Sequence, residues 1–211
     1  MRKNIHILTI SVFIYLFLAG TSLADEGNLK IQEETLRKLE DKSQDESKTL
    51  QGIEVLTGFS YSQLHYGKDY EFIPINLSFD FNLKAIYKNI EFKPLLQFQI
   101  EPFLSIVTKP NTNIESGTTF WLKVGFVPDT RRIQPYGKLG LGLIYMTQHL
   151  AEQSTQFNFT QQGALGLEFS LTKSTALIIE GRARHLSNAG IKHPNHGINS
   201  YFGLTGISYK F

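Results

Sequence analysis

The sequence predicts an all-β protein, an eight-stranded antiparallel β-barrel that crosses a bacterial outer membrane. Apolar and polar residues alternate with a period of two in eight successive stretches between Gly52 and Phe211. Almost no helical pattern lies between them, and the stretches run to about 9–11 residues or more, enough for a tilted bilayer crossing. The chain of 211 residues has no cysteine and a formal charge of +2, so it suits one domain without a disulfide framework. It shows no basic stripe, zinc spacing or recognition-helix pattern, so no nucleic-acid partner and no metal is expected.

The first residues read as an export signal. Met1-Arg2-Lys3 precedes an apolar run over 7–19, and Ser22-Leu23-Ala24 places small residues where signal peptidase needs them. The run is short beside the roughly 20 residues of a spanning helix, so residues 1–24 are expected to be cleaved rather than to anchor the chain. Residues 25–50 alternate acidic and basic side chains with sparse leucines, Leu29, Leu36 and Leu39. A solvated periplasmic leader, helical or disordered, fits that composition and carries no chemistry.

From 51 to 211 each stretch has an apolar and a polar face. Val55, Thr57, Phe59 and Tyr61 share the first apolar face. Ile73, Ile75, Leu77, Phe79 and Phe81 form the second, and Phe92, Pro94, Leu96, Phe98, Ile100, Pro102 and Leu104 the third. The fourth sets Phe120, Leu122, Val124 and Phe126 against Trp121, Lys123 and Gly125. The fifth and sixth set Leu139, Leu141, Leu143 and Tyr145, then Leu165, Leu167 and Phe169, against positions rich in glycine. In the seventh, Leu177 and Ile179 oppose Glu180, Arg182 and Arg184, and the eighth ends on Tyr201, Ile207, Tyr209 and Phe211.

Alternation alone does not say which face is inside. A soluble lipocalin-like barrel would bury its apolar face, whereas a transmembrane barrel turns it to lipid. Aromatic residues near the strand ends suit interfacial girdles. The polar face carries both signs, Glu54, Asp80, Glu101, Glu168 and Glu180 with Lys123, Lys138, Arg182 and Arg184, which can pair across a narrow lumen. The ending Ser-Tyr-Lys-Phe resembles the C-terminal signal of bacterial outer-membrane barrels. These features favour the membrane.

With a periplasmic N-terminus, the segments 63–69, 109–116, 148–156 and 188–196 fall outside and 171–174 is a periplasmic turn. His185 and Ser187 then stand at the extracellular end of the seventh strand. Two residues apart, they share a face about 6.6 Å apart along the strand, close enough for an imidazole to bend toward a hydroxyl. Their parity with Leu177 and Ile179 turns them toward lipid, and Asn199 in the eighth strand has the parity of Tyr201. One reading is a wet rim where such residues cost little. The other is an ester hydrolase whose substrate is a membrane lipid.

The blocks His-Leu-Ser-Asn-Ala-Gly over 185–190 and Pro-Asn-His-Gly-Ile-Asn over 194–199 resemble the signature of the PagL-type lipid A 3-O-deacylases. The rest of the barrel resembles that family in pattern only. The resemblance implies lipid A of lipopolysaccharide as substrate, no cofactor, and a membrane-embedded monomer or homodimer. It assigns Ser187 as nucleophile, His185 as general base, and Asn195 with the Gly190 N–H as oxyanion donors. Asn188 falls on a position that the family often retains, where an asparagine also commonly bonds its own turn. Lys192, His193 and His196 lie near the expected lipid A phosphates and are expected to bind substrate. Asn199 departs from the pattern, since a glutamate can complete the triad in the family. An amide can still orient an imidazole but cannot stabilise its charged form. The competing readings are a non-enzymatic outer-membrane barrel, structural or adhesive, and a soluble periplasmic lipid binder.

Overall fold

The computed structural model describes residues 49–86, 94–128 and 132–211. The signal peptide over 1–24 and nearly all of the leader over 25–50 lie outside the described residues. Eight antiparallel strands close on themselves in sequence order: β1 (Leu50–Gln63), β2 (Asp69–Asn82), β3 (Pro94–Lys109), β4 (Asn113–Pro128), β5 (Ile133–Met146), β6 (Phe157–Ser170), β7 (Thr175–Ser187) and β8 (Ile198–Lys210). A single helical turn, α1 (Leu83–Ile86), follows β2. The seam is an unbroken run of partners from Gly52 and Lys210 to Ser62 and Ser200.

Closure settles the question that alternation left open. Leu139, Leu141, Leu165, Ile179, Tyr201 and Ile207 are exposed on the outward face. Glu54, Asp80, Glu101, Lys123, Lys138, Glu168, Glu180, Arg182 and Arg184 are all buried in the lumen. The protein is a barrel turned outward to lipid, with aromatic residues toward both ends of that face: Tyr61, Tyr145, Phe157 and Tyr201 at one, Phe126, Tyr209 and Phe211 at the other.

The lumen is filled rather than open. Lys123 bonds Glu54 and lies 3.3 Å from Glu168, while Lys138 reaches Glu180 at 3.0 Å and Glu54 at 3.4 Å. Arg182 sits between Glu101 and Glu180, 2.7 Å from each, with its guanidinium over the Trp121 ring. Trp121 and Tyr136 donate to Glu101 and Glu180 in turn. Toward the end that carries the 188–197 loop, an apolar layer that includes Tyr70, Phe72, Ile144, Leu186 and Phe202 closes the barrel.

The segment expected outside at 109–116 is shorter than the sequence suggested. β4 begins at Asn113, so Ile114, Glu115 and Ser116 already pair with β3. Glu115 points inward and bonds the Arg184 guanidinium at 3.1 Å and the Tyr70 hydroxyl at 2.6 Å. An inward glutamate near a strand end looks like loop in sequence, because its partners lie on strands distant in the chain.

Removing one partner of a buried ion pair leaves the other charge without compensation. Arg182→Met keeps volume but deprives Glu101 of its guanidinium. Urea unfolding in detergent micelles is expected to show a loss of about 3–5 kcal/mol. A loss under about 1 kcal/mol would mean that Glu101 is not held as a charge by Arg182.

Candidate functional site

The β7–β8 register sets the site. His185 is the direct partner of Asn199, and Leu186 that of Ile198, before the chain leaves as the 188–197 loop. Both polar side chains face outward and are exposed. The His185 Nδ1 lies 2.7 Å from Asn199 Oδ1. An amide oxygen only accepts, so that bond places the ring proton on Nδ1 and leaves Nε2 with a free lone pair. Ser187 follows on the same strand face, half-buried, opposite Phe159 of β6, while Gln161 flanks His185. Among the described residues no hydrogen bond joins the Ser187 hydroxyl to the imidazole, a common state for such pairs without substrate.

The loop is built on Asn188, which is fully buried. Its N–H donates to Asn195 Oδ1 at 3.0 Å, and its Nδ2 donates to the Lys192 carbonyl at 2.7 Å and to Ser154 Oγ at 3.2 Å. Its Oδ1 accepts the Gly190 N–H at 3.0 Å. The local role expected for an asparagine in a turn is therefore extended to the whole loop. Anchoring Asn195 by its oxygen orients its amide nitrogen as a donor. The Gly190 N–H is bonded within the loop, so any other acceptor must displace Asn188 Oδ1.

Two further segments brace this loop. From 147–156, the Ser154 N–H donates to the Pro194 carbonyl at 3.0 Å, and the Glu152 carbonyl accepts from the His196 N–H at 3.1 Å. From 64–68, the His65 ring stacks on His196 at 4.4 Å and the Tyr66 hydroxyl lies 3.4 Å from His196 Nε2. His196 is thus held against the 64–68 segment while remaining exposed, as Lys192 and His193 are.

Gly197 was not singled out by the sequence. It has a φ of 73°, and a Cβ there would come 2.6 Å from His185 Cε1 and 3.2 Å from Nε2. The glycine lets the returning loop lie against the imidazole, which is confined between Asn199 and the 197 backbone. Its signal was a glycine after Asn195-His196 at the entry to a strand, where a left-handed residue is common. The braces from Glu152, Ser154, His65 and Tyr66 left no signal, because their partners are far apart in the chain. A confined imidazole on the same strand face as a hydroxyl, next to a loop that holds an amide by its oxygen, is suited to base-assisted attack on a carbonyl.

Residues 46–208 match the family model described as lipid A 3-O-deacylase (PagL). No curated protein gives a match. Among solved structures, the fold is similar to that of the outer membrane enzyme PagL, with a TM-score of 0.54 and 19% identity over 75% of this chain and 99% of that one. It is also similar to Neisserial surface protein A, with a TM-score of 0.56 and 12% identity over 76% of this chain and 97% of that one. At these identities the two structures share the fold.

The Gly197 contact has a direct consequence. Gly197→Ala forces a Cβ into the ring and is also strained at positive φ. The His185 ring resonances, assigned by NMR in micelles, are expected to shift, with loss of the protected Nδ1 proton. An unchanged Nδ1 signal would show that the 197 backbone does not confine the ring.

Proposed function

The chain belongs to the lipid A 3-O-deacylase (PagL) family, and from that premise we propose that Ser187 and His185 carry out its deacylation at the lipid-facing rim of the barrel. As a member it is an outer-membrane enzyme that deacylates lipid A. The observation that most supports the assignment of roles is the 2.7 Å contact from His185 Nδ1 to Asn199 Oδ1, which leaves Nε2 as the free base.

In this reading Ser187 Oγ attacks the carbonyl carbon of the 3-O-linked acyl ester while His185 Nε2 takes its proton. The carbonyl oxygen becomes an oxyanion, which accepts from the Asn195 amide. The Gly190 N–H exchanges Asn188 Oδ1 for the same oxyanion, an exchange favoured because charge-assisted hydrogen bonds are about twice as strong. The intermediate collapses, the ester C–O bond breaks, and His185 returns the proton to the leaving sugar oxygen. Water then attacks the acyl-serine with His185 again as base, releasing the fatty acid and restoring Ser187. Asn199 orients the ring throughout without adding charge. Lys192 and His193, exposed beside the outer-leaflet head groups, hold the phosphates, and His196 does so from its position against His65 and Tyr66.

Mass spectrometry of lipid A from cells expressing each variant tests the roles. Ser187→Ala and His185→Ala are each expected to leave less than about one thousandth of the activity, because groups that act as a unit fail together. Asn199→Ala should lose about ten- to a hundredfold, the scale of one hydrogen bond, and Asn199→Glu should match or exceed the parent. Retained deacylation in Ser187→Ala would remove it as nucleophile.

Lys192→Ala tests the electrostatic role separately. It is expected to raise KM more than it lowers kcat, as for a contact made equally in ground and transition states. A change in kcat alone would place Lys192 outside substrate binding.

A further inference from the structure

Gln161 of β6 stands directly across from His185, and His185 from Asn199, so three polar side chains occupy one cross-strand row of the outward wall. Asn199 holds the imidazole from its side, at 2.7 Å. Gln161 holds nothing: its side chain is exposed, and among the described residues its amide makes no hydrogen bond. Every other outward position of β6 is apolar or glycine, with Phe157 and Phe159 above Gln161 and Gly163, Leu165 and Leu167 below. The Phe157 and Phe159 rings meet edge to face, their centroids 5.5 Å apart. The amide therefore lies on the hydrocarbon side of the aromatic girdle, not among the head groups.

An amide in that place is costly unless it is hydrogen-bonded. Thr57 and Thr205 face outward too, and their hydroxyls donate to the carbonyls of Pro74 and Ile178 at 2.8 and 3.0 Å. Gln161 has no such return, so its partner comes from outside the chain. We propose that the partner is a hydroxyl on carbon 3 of the substrate's acyl group, counted from the ester carbonyl, and that Gln161 thereby selects 3-hydroxyacyl esters over plain ones. The inference rests on Ser187 as the attacking residue.

Register fixes the distance. Gln161 pairs with His185 and is the diagonal neighbour of Ser187, whose direct partner is Phe159. Diagonal side chains on one sheet face start about 7–8 Å apart, within reach of a long side chain. The amide thus lies one row toward the membrane from the attacking hydroxyl, on the acyl side of the ester, while Lys192 and His193 lie on the head-group side. A substituent on carbon 2 stays beside the attacked carbonyl and the imidazole. Further along, the next row offers only Gly163 and Ala183, which have no polar side chain. Carbon 3 is where a hydroxyl comes level with the amide. An amide both donates and accepts, as a hydroxyl does, so the two are matched. A substrate without that hydroxyl leaves the amide unpaired, which is how a hydrogen-bonding site rejects an analogue.

Gln161→Met keeps the length and shape of the side chain and removes its hydrogen bonding. Purified protein in detergent micelles is assayed on the nitrophenyl esters of 3-hydroxydodecanoate, 12-hydroxydodecanoate and dodecanoate, with Ser187→Ala as background. The parent is expected to favour the 3-hydroxy ester over the plain one by about tenfold in kcat/KM, the scale of one hydrogen bond. Gln161→Met is expected to lose that preference, with the 12-hydroxy-to-plain ratio the same in both proteins. Each ratio compares two substrates on one preparation, so a partly misfolded variant does not move it. A 3-hydroxy ratio unchanged by Gln161→Met overturns the proposal, and so does an equal fall in the 12-hydroxy ratio.

A second readout does not depend on turnover. In Ser187→Ala protein, the side-chain amide resonances of Gln161 are expected to shift on addition of the 3-hydroxy ester and not of the plain ester. Equal shifts with both esters, or none with either, overturn the contact. A selective shift together with hydrolysis that survives Ser187→Ala would keep the contact and remove the nucleophile. Ser187-dependent hydrolysis with an unchanged 3-hydroxy ratio would do the reverse.

Discussion

Closure of β1 onto β8 is the constraint on which everything else in this molecule depends. A bilayer core offers no water to backbone amides, so every N–H and C=O along a spanning strand must find a strand partner. The partner run from Gly52–Lys210 to Ser62–Ser200 supplies that at the seam. Once the ring is closed, alternate residues have no choice of surroundings. A register slip of one residue would carry Lys123, Lys138 and Arg182 into lipid and Leu122, Leu139 and Ala183 into the lumen. The buried ion pairs therefore act on register more than on net stability, since taking charges out of water offsets much of their attraction. What they impose is a steep penalty on any other pairing.

That penalty reaches the site through β7. Glu180, Arg182 and Arg184 are among its inward residues, each in a lumen contact, and His185 and Ser187 follow with the opposite parity. Fixing the arginines fixes which way the imidazole points. The pairing of β7 with β8 then brings Asn199 to 2.7 Å from Nδ1 without help from the loop. The loop contributes what strands cannot, an approach from above. Asn188 holds Asn195 and Gly190 in one hydrogen-bonded turn, and Gly197 lets the returning backbone touch the ring.

The strands, their faces and the outward direction of His185, Ser187 and Asn199 were legible in the sequence because a period of two is a local signal. Each strand announces its own alternation, and parity can be counted from Leu177 or Tyr201 to the polar residues. The inside of the barrel followed from the mixed charges on one face. Glu115 escaped, because near a strand end alternation is too short to show, and its partners Arg184 and Tyr70 are distant in sequence. The same reason hid the braces on the site loop from Glu152, Ser154, His65 and Tyr66.

The exposed, lipid-side position of His185 also bears on the presence of an amide at residue 199. A carboxylate facing outward at the rim would need to keep its hydration beside a hydrocarbon layer or bear the cost of losing it. An amide avoids most of that cost and still fixes the ring tautomer through one 2.7 Å contact. What it gives up is charge stabilisation of an imidazolium. In the proposed role of His185 as base, confinement offsets part of the loss: Asn199 on one side and the Gly197 backbone on the other limit rotation of the ring. Orientation is thus supplied by packing, in a place where charge would be expensive to hold.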